Sequence, residues 1–243
     1  MTKDAILATI AEGGYPALRQ TFNAVLQEIA DGLSDEDMSQ AYDVLDLDEE
    51  EGVDEQGAVL LMDAALFSRP DEPDAPRAID RLAPKAGRDN ALTKAIAARL
   101  PTADFSVYEA GAAHPDGGLK AFDMLAGTEV HIMDEGLAAS FEPGGFFAGR
   151  FAGLGPWHIG FGVVSKLTRS EVVALILAAS GPDGRDELHE MVYRADLHGE
   201  ILIMSAVEPA IAQIATMIDE SSTPIGEIAA RLARAMETAT TTL

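Results

Sequence analysis

Residues 146–164 read FFAGRFAGLGPWHIGFGVV, and their pattern decides the fold. Aromatic and small residues flank a Gly153-Leu154-Gly155-Pro156 turn signal, which predicts two short strands joined by a tight connection. In the second strand the period of two puts Trp157, Ile159, Phe161 and Val163 on one face. Gly149, Gly153, Gly160 and Gly162 suit the bends and close strand contacts of a small barrel.

Three more strand patterns lie upstream, over residues 105–112, 119–125 and 129–134. In the last of these Val130 and Ile132 alternate with Glu129, His131 and Met133. Turn signals separate them at Asp116-Gly117-Gly118, Ala126-Gly127 and Pro143-Gly144-Gly145. Residues 102–165 are therefore expected to form a small antiparallel β barrel or meander.

Helical patterns surround this unit. Pro16 suits the first turn of a helix that buries Leu18, Phe22, Val25 and Ile29, with Gly32 as its stop. Ser34 can cap the next, which turns Met38, Ala41, Tyr42 and Leu45 inward. A third, over 56–67, is apolar nearly all round, which predicts a central position. Pro70, Pro73 and Pro76 mark a loop, and helix resumes over 90–100 until Pro101. Beyond the β unit, Thr168-Arg169-Ser170-Glu171 is a capping box and Gly181-Pro182 a stop. Residues 186–195 read as helix, 201–207 suit helix or strand, and a helix follows Pro209. Thr223-Pro224 opens a last amphipathic helix, and 238–242 reads as a frayed tail. The class is thus α+β: a helical region over 1–101, the β unit over 102–165, and a helical region over 166–243. The two helical parts are able to pack into one domain.

Composition narrows the functional classes. The 243 residues, 47% of them apolar, suffice for a sizeable core without disulfides. There are no cysteines, which removes thiolate metal sites and thiol nucleophiles and fits a reducing compartment, the cytoplasm. No apolar run approaches the length of a membrane span. Forty-one acidic against 17 basic residues leave a net charge of −24, which disfavours direct binding of nucleic acid or a membrane surface. No lysine or arginine lies between Gln20 and Ser68, where Asp46, Asp48, Glu49, Glu50, Glu51, Asp54 and Glu55 read as an exposed loop.

Motifs for chemistry fail on inspection. Counted as a calcium loop from Asp46, position six is Glu51 instead of glycine and position twelve is Gly57 instead of glutamate. The histidines form no zinc-protease pair, although Glu129, His131 and His158 would cluster if their strands were neighbours. Neither a phosphate-binding glycine loop nor a hydrolase serine elbow is present. No catalytic, cofactor or metal residue is assigned. One concentration of aromatics resembles a binding surface, with Phe146, Arg150 and Trp157 as candidate anchors for a protein partner. The alternative for the same residues is the barrel's own core. Three functions follow in order of expectation: a non-catalytic protein-binding or regulatory protein, an enzyme with a carboxylate/histidine site, and an acidic decoy that mimics nucleic acid.

Overall fold

The computed structural model describes residues 3–48, 52–70, 75–179 and 184–198, with side chains from residue 14 onward. The readings of Gly181-Pro182, of residues 201–242 and of the centre of the acidic run (49–51) lie outside these residues.

The N-terminal helices follow their signals. Helix α1 (Lys3–Ala30) is interrupted at Gly14, whose φ of 68° is open to glycine, so Pro16 begins a fresh turn. From there Leu18, Phe22, Val25 and Ile29 form the buried stripe. Ser34 caps α2 (Asp35–Val44) through a reciprocal box with Asp37. Asp54 caps α3 (Glu55–Phe67), which is buried over most of its length, as its apolar surface predicts. Helix α4 (Ala78–Leu82) was not legible, because a single turn is too short to display a period. Asn90 caps α5 (Ala91–Ala97), and a 3-10 turn at Leu100–Thr102 leads into the sheet.

All five expected strands are present: β1 (Asp104–Ala113), β2 (Leu119–Asp123), β3 (Thr128–Ile132), β4 (Phe146–Leu154) and β5 (Trp157–Leu167). They close into a barrel in the order β1-β2-β3-β5-β4. Strands β1 to β3 form a meander and β4 returns beside β1, which is a Greek key. Five-stranded Greek-key barrels include the OB folds, and fold of this kind does not by itself assign function. Four of the five seams are antiparallel. The fifth, between β3 and β5, is parallel, because a closed ring of five alternating strands must bring two of the same direction together. Between β3 and β4 lies α6 (Glu135–Ser140), capped by Asp134. Its Leu137 and Ala138, with Phe141 just beyond, pack on the barrel interior.

The barrel lumen holds Tyr108, Ala110, Leu119, Ala121, Ile132, Phe147 and Phe151. Its outer wall is not left to water. One patch, with Ala152, Leu154, Ile159 and Phe161, packs on α1, α5 and the end of α3. Another, with Phe105, Val107, Phe146 and Ala148, packs on α2, α3, α7 (Arg169–Ala179) and α8 (Leu188–His198). Helices from both sides of the β unit therefore share one cluster. Among the described residues no helix is long and apolar enough to cross a membrane.

Phe147 is fully buried in the lumen, whereas Phe122 on β2 is exposed. Phe147→Ala should lower unfolding free energy by about 3–5 kcal/mol, and Phe122→Ala should change it by no more than about 0.5 kcal/mol. Denaturant titration of the two variants checks the assignment of inside and outside.

Candidate functional site, an arginine-lined cleft

Two residues are lone charges in apolar elements. Asp63 is the only charged residue between Gln56 and Phe67, and Arg150 the only Asp, Glu, Lys or Arg between Pro143 and Ser165. A single ion is too costly to bury alone, so each needs a partner of opposite sign. The fold supplies it. Arg150 alternates to the outer side of β4, between Ala148 of one helical cluster and Ala152 of the other. There its Nε sits 3.1 and 3.0 Å from the two carboxylate oxygens of Asp63, and both residues are 4% exposed.

The strand is shaped for this. Gly149 pairs with Val164 but Phe151 with Gly160, so β5 bulges opposite Arg150. Gly162 in that bulge adopts φ 107°, a conformation open to glycine. Around the pair, the Tyr193 hydroxyl donates to Asp63 Oδ2 at 2.7 Å, and Arg150 Nη1 donates to the Ala103 carbonyl at 3.3 Å. Burial, reinforced by the Asp63 charge, holds the Tyr193 hydroxyl far above its ordinary pKa, so it stays a neutral donor. The Arg150 guanidinium lies on Phe67, with Cζ 3.8 Å from the ring centroid. Its Nη2 is buried and has no hydrogen-bond partner among the described residues.

Arg150 lines a cleft of about 590 Å³ between the end of α3, α4, the start of β1 and the turn before α8. Four of the chain's twelve arginines line it (Arg69, Arg77, Arg150 and Arg185), and no lysine does. Arg77 donates through Nε and Nη2 to Asp80 at 2.8 and 3.0 Å, and through Nη2 to the Pro101 carbonyl at 3.0 Å. Arg69 pairs with Asp186 at 2.5 Å near the mouth, where both side chains are well exposed. Arg185 has no ion-pair partner among the described residues.

His189, 2% exposed, forms another part of the wall, with Nε2 3.1 Å from the Ser68 hydroxyl. Burial, and then the Arg150 charge, push its pKa well below 6.5, so the ring is neutral near pH 7. Burial raises the neighbouring Glu190 carboxyl, against a hydrogen bond from Ser68. The cleft thus offers fixed guanidinium donors and one neutral imidazole, while Asp80 and Asp186 are tied to arginines.

Of the three anchors expected from sequence, the cleft takes up Arg150 alone. Phe146 is 8% exposed and sits among α2, α3, α7 and α8, because the outside of the barrel is the inside of a helical cluster. Trp157 is half-buried against the other cluster, away from the cleft. Strands β3 and β5 are indeed neighbours. Even so, His131 stacks on His114 at 3.6 Å and Nε2 approaches the Gly117 carbonyl at 2.6 Å. Among the described residues no three of His, Asp and Glu are placed to hold a metal ion. Sequence reasoning missed Asp63, Arg69, Arg77, Arg185 and His189. The readable signal was Asp63, whose isolation in an apolar helix demands a buried cation.

No family model, curated protein or solved structure matches the chain.

Asp63→Ala strands the Arg150 charge and should cost about 3–5 kcal/mol in denaturant unfolding. Asp63→Leu combined with Arg150→Met should recover most of that loss, since no charge is then left unpaired. A second expectation concerns pH. His189 titrates lower in the folded than in the unfolded chain, so its contribution to stability is present above about pH 6.5 and is lost as pH falls below it. Glu190, whose carboxyl is raised, changes stability in the opposite direction. Wild type and His189→Gln should therefore differ less in Tm as pH is lowered, and a gap that widens on acidification would contradict a neutral His189.

Proposed function

We propose that the protein is a non-catalytic binding protein that takes a ligand into the arginine-lined cleft and recognises it through an anionic group. The observation that carries this reading is Arg150 Nη2, a buried cationic donor on the cleft wall with no partner among the described residues. An unmet buried donor costs about 1–3 kcal/mol, more when charged, and a bound acceptor would remove that cost. The cleft volume falls within the usual range for small-molecule sites.

The reading keeps the binding role expected from sequence and changes its place. A protein partner would need exposed anchors, and Phe146 and Arg150 are interior groups. An enzyme acting in the cleft would draw support from the Ser68–His189 pair. However, Ser68 does not line the cleft, and its hydroxyl also serves Glu190. The protein would work in the cytoplasm, the compartment suggested by a chain without cysteine.

Native mass spectrometry of the gently purified full chain tests the reading. A small anionic species should be retained by wild type and lost from Arg77→Ala/Arg185→Ala. Retention of a stoichiometric protein partner by both, with no small molecule, would return the function to a protein-binding surface.

A further inference from the structure

Resting on the cleft as a ligand site, we infer that its ligand is a monocarboxylate with an uncharged body, held by Arg150 Nη2 and Arg77 Nη1 and preferred over phosphate. These two are the guanidinium nitrogens of the pair that make no hydrogen bond among the described residues. Arg150 spends Nε on Asp63 and Nη1 on Ala103, while Arg77 spends Nε and Nη2 on Asp80 and Pro101. Both groups lie against the same ring, with Cζ atoms 3.8 and 5.9 Å from the Phe67 centroid. Both guanidinium groups line the same cleft, and a pair of N–H donors suits the two oxygens of one planar carboxylate.

The charge balance selects a single negative charge. Arg150, Arg77 and Arg69 are each matched by Asp63, Asp80 and Asp186. Among the lining residues that leaves Arg185 and Asp104 without an ion-pair partner among the described residues. One ligand charge is met by Arg185. A second would face Asp104 and the field of a chain carrying −24. The remaining wall gives the ligand's body uncharged surface, at Pro70, Ala75, Pro76 and Phe105. A phosphate dianion finds one unpaired cation among the described lining residues and a repelling surround.

Titration of the full chain with acetate, benzoate and inorganic phosphate at slightly alkaline pH and constant ionic strength tests this, read by calorimetry and by thermal shift. Both carboxylates should bind saturably, benzoate more tightly, and phosphate at least about tenfold more weakly. Arg77→Gln should weaken benzoate binding about tenfold. Arg185→Gln, at an exposed position, should weaken it about two- to threefold. Phosphate binding as tight as benzoate would overturn the monocarboxylate inference and leave the cleft as an anion site. Carboxylate binding untouched by either variant, or no saturable binding of any of the three anions, would overturn both readings.

Discussion

The Asp63–Arg150 pair is the constraint around which the rest of the structure is arranged. Neither charge could be buried without the other, and each belongs to an element that is otherwise apolar. Their meeting sets α3 against the outer side of β4. The Tyr193 hydroxyl brings in α8, and the Ala103 carbonyl brings in the chain entering β1. One hydrogen-bonded cluster thus joins helices on both sides of the β unit in sequence to the barrel between them. The two apolar clusters meet there, with Ala148 and Ala152 on either side of Arg150. Hydrophobic contacts tolerate sliding, whereas a charged N–H shared by both oxygens of a buried carboxylate does not, so the pair gives the interface its register.

Much of the fold was legible because it depends on short-range rules. Alternation and glycine punctuation located all five strands, and the Ser34 and Thr168 caps marked helix starts where the structure has them. Helix α6 was missed although Asp134 carries a cap signal, because the strand pattern was read through to that residue. The site was harder to read. The residues around the cleft come from five separate stretches, at 67–70, 75–80, 103–105, 150 and 185–189, and only folding places them together. Phe146 shows the same limit from the other side. Adjacency puts Phe146 and Phe147 on opposite faces of β4, but what lies outside a barrel wall is a matter of tertiary structure.

The distribution of basic residues has a physical logic. A lysine could neutralise Asp63, but it could not also lie flat on Phe67 and reach the Ala103 carbonyl. Arginine does all three. Arg77 repeats the pattern at the next position around the same ring, joining Asp80, Pro101 and Phe67. In a chain so acidic, cations held rigid and partly dehydrated keep an influence that exposed lysines would lose to screening.

The parallel seam of the barrel has a kinetic side. Ile132 opposite His158 is its register pair, and the Met133 amide donates to the His158 carbonyl at 2.9 Å. That contact bridges fewer residues of chain than any register pair of the β1–β4 seam. The other three antiparallel seams join strands that are consecutive along the chain. The β1–β4 and β3–β5 seams, which close the ring, are thus its non-local contacts and the slow ones to form. The parallel seam carries a single register pair, so slow exchange of the Met133 amide with solvent would report on the integrity of the closed ring.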